Sequence, residues 1–166
     1  VVNFLCLLLG TIFCPFILFA NSNFGNDPSN AVSEYTMIEV FDSHGIETAR
    51  HKDNLGDPHL TFLTKTNANE IAVFFDGCGT AGCEEVTLYA DFGIQKSVSL
   101  ELLNDWNHIG QQLRTTAFKS GPAEAPDGPI GLSMHLSMYS DEDIESLKFL
   151  TAMFLVEVDL FKKQIK

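Results

Sequence analysis

The sequence predicts an α+β domain, and three observations carry that prediction. Val86, Leu88, Ala90 and Phe92 alternate with Thr87, Tyr89 and Asp91, and Ile130, Leu132, Met134, Leu136 and Met138 alternate with Gly131, Ser133, His135, Ser137 and Tyr139. A period of two is the pattern of strands with one buried face. The stretch from Asp141 to Ile165 repeats its apolar residues at helical spacing instead. Between such segments, clusters of Gly, Asn, Asp and Pro punctuate the chain at short intervals, as turns between short elements do.

The elements follow in order. Ser33 caps a first helix in which Tyr35, Ile38 and Phe41 recur at helical spacing, and Gly45 ends it after His44. A weaker strand over Ile46–Lys52 precedes the turn Asp53-Asn54-Leu55-Gly56-Asp57-Pro58. His59–Lys65 reads as a strand, broken by Asn67-Ala68-Asn69. Glu70–Asp76 is a stronger one with Ile71, Val73 and Phe75 on one face. After the alternating run at Val86–Phe92, Ser97 or Ser99 caps a helix whose core face is Leu102, Leu103, Trp106, Ile109 and Leu113. A short strand at Thr115–Lys119 and a turn with three prolines over Gly121–Pro129 lead into the long strand from Ile130.

The last helix presents two apolar lines. Ile144, Leu147, Leu150, Phe154, Val158, Phe161 and Ile165 make one broad face; Phe149, Met153, Val156 and Leu160 make a second, on nearly the opposite side, flanked by Glu145, Glu157, Lys163 and Gln164. A terminal helix on one sheet needs a single buried face. The second line therefore requires its own cover: the first helix, the Pro-rich loop, a second copy or a partner protein.

From Val1 to Asn26 there is no charged residue, and Val1–Ala20 is almost wholly apolar. The segment reads as a signal peptide removed after Ala20, or as an uncleaved anchor, since about 20 apolar residues just span a bilayer. Residues 21–32 are a polar lead-in, and 33–166 form the domain. The protein is thus expected in the periplasm or secreted, or held at the membrane if the segment stays.

Cysteine usage agrees with an oxidising compartment. Cys6 and Cys14 belong to the export segment, which leaves Cys78 and Cys83, and an even pair in an exported domain is expected to form a disulfide. A redox-active pair needs the tighter two-residue spacing. A zinc site needs two further ligands, while the five histidines are scattered singly.

The formal net charge is −12, from 10 basic and 22 acidic side chains. Nucleic acid and anionic lipid surfaces are disfavoured, because phosphate binding needs clustered Lys and Arg. Neither a catalytic glycine-serine elbow nor a His-Glu-x-x-His zinc motif nor a phosphate-binding glycine loop occurs. No cofactor, metal or catalytic residue is expected.

Asp53, Gly56-Asp57-Pro58, Phe74-Phe75-Asp76-Gly77-Cys78, Cys83 and Leu103-Asn104-Asp105-Trp106-Asn107 occur in this order. On these residues the chain resembles exported members of the YbjN-domain family, over residues 33–165. The resemblance implies helices packed on one face of a mainly antiparallel sheet, a fold similar to type III secretion chaperones. It implies a sensory or regulatory role and brings no enzymatic activity. The chain departs from the family at Gln112-Leu113-Arg114, where an Arg-Phe pair is usual.

Trp106 is the single tryptophan and sits on the apolar side of its helix, so it is expected as a core anchor. Asn104 and Asn107 are expected to serve structure by bonding nearby backbone, because Asn is a costly choice inside a helix. Asp53, Asp57 and Asp76 are read as turn formers and not as a cation site. His51 and His59 flank a tight turn as strand residues. The favoured function is a non-enzymatic exported module that binds another polypeptide or itself, through the polar sheet face at Ser133, His135, Ser137 and Tyr139 or through the second stripe of the last helix. The alternative is a small hydrolase or ligand-binding enzyme with an unrecognised site between sheet and helices.

Overall fold

A computed structural model of the chain describes residues 31–80, 82–109, 114–121, 128–137 and 144–166. The expected export segment, the lead-in up to Asn30, the Pro-rich turn between Gly121 and Gly128, and Tyr139 lie outside the described residues. In chain order the elements are α1 (Glu34–Ser43), β1 (Thr48–Lys52), β2 (Pro58–Phe62), β3 (Glu70–Asp76), β4 (Glu85–Ile94), α2 (Leu100–Ile109), β5 (Thr116–Lys119), β6 (Pro129–Ser137) and α3 (Ile144–Gln164).

The six strands form one sheet in the order β1-β2-β3-β4-β6-β5, with every neighbouring pair antiparallel. The first four strands run as a meander. The chain then leaves through α2, forms β5 at the far edge, and returns as β6 between β5 and β4. Buried strand residues such as Leu60, Val73, Leu88, Phe92, Leu132 and Met134 share one cluster with Met37 and Phe41 of α1, Leu103 and Trp106 of α2, and Phe154 and Phe161 of α3. All three helices thus cover the same face, and the fold is α+β with one-sided helices. Phe161 is the centre of that core, with its ring 4.9 Å edge-on from Trp106 and 5.1 Å from Phe92.

Local chemistry explains most boundaries. Ser33 Oγ accepts from Thr36 N at 3.0 Å and starts α1, and Ser99 Oγ accepts from Leu102 N at 3.2 Å to start α2. Asp53 Oδ1 accepts from the backbone N–H groups of Leu55 and Asp57 at 2.8 and 2.9 Å, which folds the β1–β2 turn. The buried face of α1 differs from the expected one: Met37, Val40 and Phe41 are buried, whereas Tyr35 is exposed. Tyr35 lies under the Arg50 guanidinium, 4.7 Å from it, and Arg50 also forks onto Glu34 at 2.6 and 2.9 Å. That pair holds the Glu34 carboxyl below its ordinary range.

Cys78 and Cys83 are joined by a disulfide within the β3–β4 connection. Val32, expected in the lead-in, is instead buried and pairs with Cys83 through two backbone hydrogen bonds of 3.0 and 2.8 Å. Gly82 makes that approach possible, because a Cβ there would lie 2.9 Å from the Val32 carbonyl oxygen and its φ is +135°.

β5 is only four residues long, and side chains hold it in place. The Asn107 amide donates to Ala117 O at 2.8 Å and accepts from Ala117 N at 2.7 Å, so it satisfies backbone groups on the strand's outer edge. Asn104, expected to serve in the same way, is exposed. It lies about 60° around the helix from Asn107, and the bonds to Ala117 are made by Asn107.

Glu157 also departs from its expected place. Read as a polar flank, it is only 1% exposed. It falls three residues after Phe154 and four before Phe161, which puts its stem on the core side of α3. Its carboxylate accepts from Arg114 N at 3.2 Å, Thr115 N at 3.0 Å and Thr115 Oγ1 at 2.6 Å, and Thr115 Oγ1 in turn accepts from Trp106 Nε1 at 3.3 Å.

Glu157→Gln replaces an acceptor oxygen with a donor against N–H and O–H groups, and should cost about 3 kcal/mol in urea denaturation; a loss under about 0.5 kcal/mol would show the network to be dispensable. Replacing both Cys78 and Cys83 by Ser should keep the fold and lower its stability by about 2 kcal/mol, the small value expected for so short a loop. Circular dichroism with the same denaturation series checks it.

Candidate binding surfaces

The stripe Phe149, Met153, Val156 and Leu160 lies along the outer side of α3. Phe149 is 60% exposed, Val156 54% and Leu160 45%, with Met153 half-buried. α1 packs against α3 elsewhere: His44 Nε2 hydrogen-bonds to the Lys148 carbonyl at 3.0 Å. The core side of α3 is filled by Leu147, Leu150, Thr151, Phe154, Glu157, Val158 and Phe161. Among the described residues, nothing buries the stripe.

The second surface is the sheet face turned away from the helices. Strand alternation sends His51, His59, Phe74, Tyr89, Ser133, His135 and Phe118 to it. Ring contacts connect the aromatic members into a row. His51 stacks on His59 at 4.9 Å, His59 on Phe74 at 5.9 Å, Phe74 meets Tyr89 at 6.3 Å, and Tyr89 meets Phe118 at 5.9 Å. The row therefore runs from one edge strand, β1, to the other, β5.

β6 contributes no ring to the row, and Gly131 is the reason the row continues across it. A Cβ on Gly131 would lie 2.7 Å from Tyr89 Cε2 and 2.8 Å from Phe118 Cζ, so the missing side chain is the space in which the two rings meet. Tyr89 is partly buried there. Desolvation, followed by the nearby Asp91 and Glu70 carboxylates, raises its phenol pKa above the ordinary value.

Ser133 and His135 do lie on this face. His135 Nδ1 shares a hydrogen bond with Thr87 Oγ1 at 2.9 Å, and its Nε2 is 3.4 Å from Glu85 Oε2. His51 and His59 face each other across β1 and β2, and His51 Nε2 also contacts Thr61 Oγ1 at 2.9 Å. Trp106 is buried beneath α2 on the opposite side. Among the described residues no three His, Cys, Asp or Glu side chains converge to hold a metal ion.

The aromatic row is not legible in the sequence. Its members come from five strands, and only register brings them together. The one local sign was Gly131 in the interior of a well-patterned strand, which marks a close approach.

No family model matches the chain, and no curated protein matches it. Solved structures do. The crystal structure of YbjN, a candidate transcription regulator from E. coli, superposes with a TM-score of 0.51 at 15% identity, covering 79% of this chain and 87% of that one. ExsC in the ExsC–ExsE complex superposes with a TM-score of 0.46 at 12% identity, covering 78% of this chain and 90% of that one. The antiparallel order, the one-sided helices and the first of these superpositions together establish that this chain has a YbjN-like α+β fold.

Proposed function

We propose that this protein is a non-enzymatic binding module with a regulatory or chaperone-like role, which works in the periplasm or as a secreted protein and engages polypeptide through its uncovered surfaces. The observation that carries this reading is the exposed line of Phe149, Val156 and Leu160 on a helix whose other side already fills the core. Contiguous apolar side chains in water favour a contact that removes them from it, at about 25 cal/mol per Å² buried.

A second copy of the chain is a fitting cover. On the stripe's own side of α3, Glu145 stands in the first turn, where it pairs with Lys148, and Lys163 in the last. Two α3 helices packed antiparallel about a two-fold axis bring the acidic end of each against the basic end of the other. The apolar segment Val1–Ala20 and the Cys78–Cys83 bridge support the proposed compartment.

Light scattering on the whole expressed chain, purified in oxidising buffer, should give a dimer that Val156→Glu converts to a folded monomer. A wild-type monomer indifferent to that change would remove the stripe as a self-contact. Intact mass of the protein recovered after export should correspond to a chain beginning at Asn21; retention of Val1–Ala20 in a membrane fraction would replace the free exported form with an anchored one.

A further inference from the structure

The open sheet face carries a charge pattern that its aromatic row does not explain. Along the β3–β4 ladder, the residue pairs on this face are Glu70 with Asp91, Ala72 with Tyr89, Phe74 with Thr87, and Asp76 with Glu85. Each end of the ladder therefore places two carboxylates directly opposite one another. Like charges in that position destabilise a sheet. Between them lie Phe74 and Tyr89, and Phe74 is 42% exposed. Among the described strand residues on this face the charged side chains are these four carboxylates; Arg50 and Lys52 of β1, and Lys119 of β5, take the alternate positions that share the helix side.

Two of the carboxylates have some local compensation. Asp91 Oδ1 accepts from Gly93 N at 3.0 Å, and Glu85 Oε2 lies 3.4 Å from His135 Nε2. Neither contact brings a permanent positive charge to the face.

From this arrangement we infer that the open sheet face is a docking surface for a cationic polypeptide segment, with basic side chains on the two carboxylate pairs and apolar ones on Phe74 and Tyr89. This rests on the binding-module reading above and adds to it the site and the chemistry of the partner. The two acidic pairs are six residues apart along β3, about 20 Å at the rise of an antiparallel strand. An extended segment puts alternate side chains on one face at the same rise. A seven-residue stretch with Arg or Lys first and seventh, and apolar residues third and fifth, therefore matches the ladder position by position. Cations placed beside Phe74 and Tyr89 also gain from the negative faces of the rings.

The charge pattern excludes the competing occupants on physical grounds. A nucleic acid brings phosphates against four carboxylates. A second copy docked through this face about a two-fold axis sets the same four carboxylates against themselves. Residues 1–49 contain no Lys or Arg and do not supply the cations.

The test is fluorescence anisotropy with labelled seven-residue peptides and the whole protein: one with Arg at both ends and Leu at the third and fifth positions, one with Glu in place of Arg, and one with the first composition scrambled. The Arg-ended peptide should bind saturably and lose affinity as salt rises, and the other two should bind at least about tenfold more weakly. Glu70→Gln with Asp76→Asn should weaken binding about tenfold while raising the thermal midpoint, because the variant relieves repulsion between opposite carboxylates. Phe74→Ser should weaken binding comparably, and Leu55→Ser in the exposed β1–β2 turn should leave it unchanged.

Several results would overturn the assignment. They are equal binding of the Glu-ended or scrambled peptide, binding insensitive to both the carboxylate and Phe74 variants, preferential binding of a single-stranded oligonucleotide, or a wild-type dimer in light scattering that Phe74→Ser converts to monomer. Loss of peptide binding only with Val156→Glu would also overturn it while leaving the binding-module reading intact, since the contact would then lie on α3.

Discussion

The Glu157 carboxylate is the contact on which the far half of the molecule depends. It comes from the last helix and holds the backbone and hydroxyl of Thr115 just before β5, and Thr115 receives the Trp106 indole N–H from α2. One buried acid thereby joins α2, β5 and α3. A buried carboxylate is tolerated only when its oxygens are satisfied by hydrogen bonds, and here two of its three donors come from a single residue. That economy ties the strand's entry point tightly to the helix layer. Asn107 completes the restraint by bonding the strand's outer edge at Ala117.

The position of β5 in turn shapes the opposite side of the sheet. Phe118 is on β5, and its ring closes the aromatic row over Gly131 against Tyr89. The polar node on the helix side and the aromatic row on the open side are thus two faces of one placement. The same economy operates at the other end, where Val32 pairs with Cys83 and the disulfide holds the β3–β4 connection compact. The connected end of the β3–β4 ladder is thereby fixed, while its open face stays uncovered.

One-sided packing is the origin of the functional reading. Three helices suffice to cover one face of a six-stranded sheet. The other face must then be made of residues that tolerate water, and a row of rings bounded by carboxylates satisfies that condition while remaining able to bind. The stripe on α3 has a different origin. It is the outer side of a helix whose inner side is already complete, and its apolar side chains are surplus to the fold.

Much of the fold was legible in the sequence because it depends on local periodicity. The alternation at Val86–Phe92 and Ile130–Leu136 names the buried faces of β4 and β6, Ser33 and Ser99 start helices through bonds to backbone three residues on, and Asp53 folds its turn with its own neighbours. The two lines of α3 were equally visible, since a helix of known pitch fixes which residues share a side. Tertiary structure alone decided the order β4-β6-β5, the burial of Glu157, the difference between Asn107 and Asn104, and the meeting of His51, His59, Phe74, Tyr89 and Phe118 in one row. Each of these depends on which distant strand or helix becomes a neighbour. Local pattern specifies the side on which a residue lies, but not the residue from another element that will stand across from it.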